Sequence, residues 1–202
     1  MALVIDADAA YDEALRAVSG GGVVAYPTET FYGLAVDPFN VDAVKRLFAL
    51  KGRDYSKPLS LIVGDASMLA RVVSSVPPAA EPLMRRFWPG PLTLVFPASE
   101  ELPPIVTAGS GRVAVRVSSS PAATRLAAEL ASPITATSAN PSGRPAPVTA
   151  AQVVEYFGDG LDVVIDGGGL PGRLGSTIVD VTSGRLEIVR EGEIPARRIL
   201  SS

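Results

Sequence analysis

Hydroxyls, amides and cations gather at four places in this chain: Thr28–Tyr32, Lys51–Lys57, Arg116, and Ser138–Asn140 together with Ser142. Gly167–Thr177 and Arg190 are weaker additions. Cations on loops beside strand ends suit an anionic ligand, because an ammonium or a guanidinium there meets a phosphate or a carboxylate directly. Each place also has a plainer reading. Lys51 and Arg53 can complement the C-terminus of a helix, where positive charge is favoured. Arg116 interrupts an apolar strand, Val113–Val117, which is costly unless the guanidinium meets an anion, either a ligand or a structural partner. Ser138-Ala139-Asn140-Pro141 can be turn chemistry alone. The run Gly167–Gly169 lacks the Gly-Lys-Ser/Thr ending of a Walker phosphate loop, and the dinucleotide fingerprint does not fit either.

The missing residue types narrow the chemistry further. The chain has no Cys, so disulfides, thiolate metal sites and thiol nucleophiles are excluded. It has no His, so an imidazole base, a Ser-His-Asp triad and imidazole metal ligation are excluded as well. Lys, Arg, carboxylates, hydroxyls, backbone groups and the ligand's own atoms remain. A net charge of −3 argues against a general nucleic-acid coat, so any RNA contact would be local. The opening residues carry acids among apolar positions and lack a basic signal-peptide start. No apolar run approaches the roughly 20 residues of a membrane span. A cytoplasmic enzyme without membrane contact is the expectation. At 202 residues and 47% apolar composition, one domain with a sizeable core is expected.

The elements that must position these groups are legible in part. Strands are predicted at Leu3–Ile5, Val23–Tyr26, Leu34–Val36, Leu59–Val63, Leu92–Phe96, Val113–Val117, Ile134–Thr137 and Val163–Ile165. Ser176–Val181 and Leu186–Arg190 read as a hairpin around Ser183-Gly184. Helical spacing begins after Asp6 or Asp8 as a cap, with Ala10, Ala14, Leu15 and Val18 on one face, and Gly20-Gly21-Gly22 stops it. Further helices are predicted from Val41 to Leu50 with Asn40 as N-cap, after Asp65 to about Val73, over Ala79–Phe87, from Pro121 to about Ala131, and from a Thr149 cap to Phe157. A short terminal helix is expected at Pro195. Ala98–Gly111, with its Pro103-Pro104 and Gly109-Ser110-Gly111, reads as a candidate mobile flap. Strands alternate with helices but close on a hairpin, which predicts an α/β fold: a twisted mixed β-sheet flanked by helices.

The set Tyr-Pro-Thr-Glu-Thr (26–30) with Tyr32-Gly33-Leu34, Lys51-x-Arg53, Pro58-Leu59, Trp88-Pro89-Gly90-Pro91, Val115-Arg116, Ser138-x-Asn140 and Ser142-Gly143 resembles the YrdC family. The resemblance runs from about Gly20 to Arg190, and as a set these motifs are very specific. It implies a YrdC-like fold with a concave, positively lined cleft, in the short form without a second C-terminal domain. It also implies L-threonylcarbamoyladenylate synthase activity, a nucleotidyltransferase reaction. ATP, L-threonine and bicarbonate would give threonylcarbamoyl-AMP and pyrophosphate, with Mg²⁺ bound mainly through the ATP phosphates. The downstream partner would be the machinery that transfers the group to tRNA next to the anticodon, with at most a weak tRNA contact by this chain.

Carried over by the resemblance, Lys51 and Arg53 would face the triphosphate as catalytic cations. Asn140 and Arg190 would hold ATP, with Tyr55, Arg112 and the backbone near Val148 as further contacts. Arg116 would clamp the threonine carboxylate. Thr28, Ser60, Ser138 and Ser176 would complete the threonine pocket. Positions 55, 60, 112 and 148 are matched by spacing rather than by residue type. Two other readings stand beside this one: an RNA-binding module, which the acidic net charge disfavours, and a paralogue using another carbamoyl or adenylate substrate, which the intact Lys51-x-Arg53 and Ser138-x-Asn140 disfavour.

Overall fold

The structure, a computed structural model, describes residues 2–9 and 11–201. In chain order its elements begin with β1 (Leu3–Asp6), α1 (Asp12–Ser19), β2 (Val24–Pro27), β3 (Tyr32–Ala35), α2 (Val41–Lys51) and β4 (Ser60–Ile62). Then follow α3 (Ala80–Phe87), β5 (Leu92–Pro97), α4 (Pro104–Thr107), β6 (Arg112–Arg116) and α5 (Pro121–Glu129). The chain continues through β7 (Ile134–Thr135), β8 (Thr137–Ser138), α6 (Ala150–Phe157), β9 (Val163–Asp166), β10 (Thr177–Asp180), β11 (Glu187–Arg190) and α7 (Ala196–Leu200).

The strands form two mixed sheets flanked by helices. One has the order β1-β9-β2-β3-β8, the other β11-β10-β5-β6-β4-β7. In the first, β9 lies parallel between β1 and β2, and β3 is antiparallel to both β2 and β8. In the second, β5 pairs parallel with β10 and antiparallel with β6, and β6 pairs parallel with β4. The run read as a single strand, Ile134–Thr137, is shared between the sheets. β7 pairs with β4, and β8 pairs with β3. The chain changes sheet at Ala136, whose N–H donates to Ser60 O at 2.8 Å. Thr135 braces the crossing, because its hydroxyl donates to Leu34 O at 2.8 Å and accepts from Val36 N–H at 3.0 Å. Residues of both sheets therefore meet along one seam.

Helix α2 shows how local sequence sets that seam. Asn40 Oδ1 accepts from the N–H groups of Asp42 and Ala43, both at 3.1 Å, which satisfies two of the orphan donors of the first turn. Ala43, Val44, Leu47 and Phe48 form its buried face. Burying a side chain such as Leu47 or Phe48 contributes about 1.5–3 kcal/mol. Gly52 ends the helix in the left-handed region at φ 56°. A Cβ there would meet no atom within 4 Å, so another residue would cost only backbone strain, roughly 1–2 kcal/mol. The helix runs one residue further than its apolar pattern predicts. Lys51 follows Leu47 by four positions and so falls on the buried face.

Other expectations change in detail. Asp6 does not cap α1; its carboxylate accepts from Asp8 N–H at 2.8 Å, and Tyr11 occupies the cap position without a side-chain capping bond. Ala10 lies outside the described residues. Asp65 does cap, accepting from Ser67 N–H at 2.7 Å, but the turns that follow, Ala66–Arg71, are 3₁₀ rather than α. The chain then bends so that Val73 bridges to Ala98. The Ala98–Gly111 segment is no free flap. Leu102 and Val106 are buried in the core, and Leu59 N–H donates to Val106 O at 2.8 Å. Among the described residues no helix is long and apolar enough to cross a membrane.

Candidate active site

A cavity of about 320 Å³ opens at the seam. From the first sheet it takes Tyr26, Gly33, Thr137 and Ser138, and from the second Ser60, Thr93 and Arg116. The turn after β2 supplies Thr28 and Thr30, and Arg53, Ser176 and Arg190 close the rim. Seven of the residues singled out from the sequence line this cavity: Thr28, Arg53, Ser60, Arg116, Ser138, Ser176 and Arg190.

The Thr28 turn is fixed by its own hydroxyl. Thr28 Oγ1 donates to Phe31 O at 2.7 Å and accepts from the N–H groups of Thr30 and Phe31 at 3.1 and 3.2 Å. Its Oγ1 therefore has its local bonds made before any ligand arrives. Across the cavity, Thr93 Oγ1 donates to Ser176 Oγ at 2.8 Å, and Arg190 Nη2 donates to Ser176 O at 2.7 Å. Burial, then the nearby charge of Arg116, pulls Arg190 below the usual guanidinium range. Tyr32 closes the floor. Its hydroxyl donates to Gly168 O at 2.9 Å and accepts from Gly167 N–H at 3.0 Å. Burial pushes that phenol up to about 12, with the Asp166 carboxylate adding to the rise, so it is neutral at physiological pH.

Lys51 and Arg53 part company although they are two residues apart. Lys51 is 3% exposed and does not line the cavity. Its ammonium donates to Ser138 O and, at 2.5 Å, to Asn140 O. Its own carbonyl accepts from Ser142 N–H at 2.8 Å. The Lys-x-Arg end of α2 and the Ser-x-Asn turn are thus joined through one side chain. Burial brings the Lys51 ammonium down to about 7, and the charge of Arg53 adds to the effect. Arg53 lies past Gly52 and emerges into the cavity. Its Nη2 donates to Pro58 O at 2.9 Å, and the group sits 5.9 Å from the Phe48 ring centre.

Besides Lys51, four candidate residues stand away from the cavity lining. Tyr55 stacks on Phe48 with ring centres 4.8 Å apart and is half exposed. Arg112 pairs with Asp180 at 2.9 Å. The Val148 N–H donates to Gln152 Oε1 at 2.8 Å, and Val148 O accepts from Leu170 N–H at 2.9 Å, so both backbone groups are already engaged. Asn140 Nδ2 donates to Pro141 O and Arg144 O, while Oδ1 is buried with no partner among the described residues.

Sequence reasoning passed over Glu29, which pairs with Arg116 and accepts from Ser118 Oγ. It also passed over Thr93, and it gave Thr30, within the Thr28–Tyr32 cluster, no role of its own. The Thr-Glu-Thr triplet was in view, but nothing local marks its middle carboxylate as the partner of an arginine 87 residues away. The cavity lining carries hydroxyls and arginines, and among the described residues no group of three or more carboxylates gathers that could hold a metal ion.

Two mixed sheets flanked by helices, meeting at a hydroxyl- and arginine-lined cavity, define a class of mixed α/β domain. A model of the Sua5/YciO/YrdC family, described as "Telomere recombination", matches residues 16–192. The chain belongs to this family. It is 41% identical over 179 residues to a protein of Pyrococcus abyssi named threonylcarbamoyl-AMP synthase, covering 89% of this chain and 53% of that one. A Halorhodospira halophila protein of the same name is 44% identical over 155 residues, 77% of this chain and 78% of its own. The chain thus spans about half the length of the first relative and most of the second. The solved structure of Pyrococcus abyssi Sua5 complexed with L-threonine superimposes with a TM-score of 0.92 at 36% identity, covering 100% of this chain and 60% of that one.

Proposed function

We propose that the chain is an L-threonylcarbamoyladenylate synthase, a nucleotidyltransferase that joins L-threonine, bicarbonate and ATP and releases pyrophosphate. The observation that carries the reading is the cavity itself. It gathers an arginine with hydroxyls at one end and Arg53 and Arg190 around it, in a fold shared with a relative solved with L-threonine. Shared names at 41 and 44% identity support the same reaction.

In this reading Arg116 receives the amino acid's carboxylate in a forked, charge-assisted pair. Thr28, Ser60, Ser138 and Ser176 border the rest of the amino acid. The threonine amine bonds to the carbon of carbon dioxide derived from bicarbonate, giving N-carboxy-threonine and releasing a proton. An oxygen of that new carboxylate then bonds to the α-phosphorus of ATP as the bond to the bridging oxygen breaks, and pyrophosphate leaves. No protein nucleophile is needed, which suits a chain without Cys or His. The residues orient the reactants and offset charge, the two contributions on which phosphoryl chemistry mostly depends. Arg53 and Arg190 face the phosphates from the rim. Lys51 acts from behind, holding the Ser138–Asn140 turn, with its third N–H available to an anion that reaches it. The unpartnered Asn140 Oδ1 suits a hydroxyl or amino donor of the nucleoside.

Mg²⁺ fits this donor set only as a companion of the substrate. It would be held by ATP phosphates and water and would offset phosphate charge there. The product is a reactive mixed anhydride, so a transferase acting on tRNA next to the anticodon consumes it.

The test is pyrophosphate release with each component omitted in turn. Release should need ATP, threonine, bicarbonate and Mg²⁺ together. Equal release without threonine would leave only nucleotide hydrolysis and overturn the proposal.

A further inference from the structure

We propose that Glu29 is a positioning residue that sets the specificity of the Arg116 end of the cavity. Paired to Arg116 and held by Ser118, it fixes the guanidinium and offsets its charge. That end then takes the single carboxylate of a net-neutral amino acid in preference to a phosphate group. The inference rests on the reading that Arg116 receives the amino acid's carboxylate.

The geometry is a closed circuit between two strand ends. Glu29 Oε1 accepts from Arg116 Nη1, and Oε2 accepts from Ser118 Oγ. Ser118 is buried, and its Oγ also accepts from Ser120 N–H at 3.1 Å. Ser120 Oγ donates to Pro27 O at 2.8 Å, which returns the circuit to the strand that leads into Glu29. Thr28 locks the turn on which Glu29 sits. Both members of the ion pair are largely buried, with side-chain exposures of 8% for Arg116 and 14% for Glu29. A buried pair of this kind holds its geometry well, since losing one partner strands the other charge.

The Arg116 side chain uses Nη1 for Glu29 and makes no other hydrogen bond among the described residues. It also lines the cavity, whereas Glu29 does not. A guanidinium presents its donors in a fixed fork. Binding Nη1 from behind therefore leaves the Nε and Nη2 edge for a ligand and prevents the plane from rotating.

The charge argument is independent of the positional one. Arg190 lies close enough that the charge of Arg116 depresses its ionisation, so two cations border one cavity. Uncompensated, such a pair would favour a doubly charged phosphate over a singly charged carboxylate. Substrate and product of the proposed reaction both carry phosphates, so a phosphate on Arg116 would block the amino acid. Glu29 removes that preference at Arg116 and leaves Arg190 to the phosphates.

The experiment compares wild type with E29Q, which keeps the shape and an acceptor for Arg116 but removes the charge. E29A serves as a second variant that removes both. Threonine titrations of pyrophosphate release are run at saturating ATP, with inorganic phosphate added in series. Binding of inorganic phosphate alone is read from the shift in melting temperature. For E29Q the threonine KM should rise about 10-fold with kcat largely kept, and phosphate should inhibit about 10-fold more strongly, in competition with threonine. E29A should lose kcat as well. The phosphate-binding arm needs no activity, so it reads Glu29 even if the proposed reaction fails in wild type. A threonine KM that falls in E29Q would show Glu29 to be a competitor of the substrate and overturn the inference. Unchanged phosphate affinity with only a lowered melting point would reduce Glu29 to a structural ion pair and overturn it equally.

Discussion

Arg116 and Lys51 are both buried cations, one lining the cavity and the other behind it, and they are held on opposite electrostatic terms. Arg116, at the end of β6, has a carboxylate behind it and keeps a hydrogen-bonding edge toward the cavity. Lys51, at the end of α2, has two carbonyl oxygens and no carboxylate within salt-bridge distance among the described residues. Burial brings Lys51 down to about 7, with the charge of Arg53 adding to the effect, and carbonyl dipoles offset that desolvation less than a full negative charge would. A compensated cation recognises a ligand by shape. An uncompensated one is set up to gain most when an anion arrives, and an anion of several charges gains most there. In the proposed reaction the first arrangement suits the carboxylate and the second the polyphosphate.

The largest expected effect comes from breaking the uncompensated side. Lys51→Met should lower turnover by about 10²-fold or more, the scale seen when one electrostatic donor to a developing charge is lost. The same variant should alter the pH dependence of stability in the ligand-free protein. With its pKa near 7 when folded and about 10.5 when unfolded, Lys51 is charged in both states below pH 7, and there its burial is most costly. Between those values the unfolded chain binds more protons, so stability should rise with pH. Melting temperatures of wild type and Lys51→Met at pH 6 and 9 would check this: the wild-type rise should exceed that of the variant. Near-normal turnover and parallel pH curves would make Lys51 a helix-end residue and erase the contrast.

Breaking the compensated side should act on binding rather than on chemistry. Arg116→Lys keeps the charge but cannot present a forked edge while holding Glu29. The threonine KM should rise about 10- to 100-fold, corresponding to ~1.4–3 kcal/mol, with the ATP requirement nearly unchanged. A threonine titration at saturating ATP beside a thermal melt reads both. An unchanged threonine dependence with a lower melting temperature would put the amino acid elsewhere.

Much of this contrast was legible before any coordinates, and the parts that were not share a cause. Asn40 and Gly52 mark the ends of α2 because capping is local chemistry. The apolar period reached Leu50, however, and ending the helix there hid that Lys51 continues the face of Leu47. Arg116 drew attention because an apolar strand does not carry a guanidinium without reason. Its partner did not, since Thr-Glu-Thr reads as an ordinary polar turn and the pairing spans 87 residues. The division into two sheets was equally hidden. Ile134–Thr137 has one strand-like pattern, and only the tertiary partners β4 and β3 separate its halves at Ala136.

A third cation tests how far compensation governs behaviour when burial is removed. Arg112 pairs with Asp180 at 2.9 Å, as Arg116 pairs with Glu29, but its side chain is 55% exposed. Solvent screens the pair from the arginine side, and ordering that long side chain costs entropy, although the Asp180 carboxylate is only 8% exposed. Asp180 would not be stranded by the loss, since Thr182 N–H and Thr182 Oγ1 still donate to it at 2.7 and 2.6 Å. Arg112→Ala should therefore leave stability within about 1 kcal/mol of wild type. Its proposed role is an ATP contact, made by a side chain that gives up Asp180 when the nucleotide binds. Only the difference between two pairings of one half-exposed side chain is then at stake, so the ATP KM should rise about 3- to 5-fold, just under 1 kcal/mol. An ATP titration at saturating threonine checks this. A rise well beyond 10-fold would mean that Arg112 is desolvated in the complex and behaves like the buried cations. No rise together with a lowered melting temperature would confine it to a structural pairing with β10.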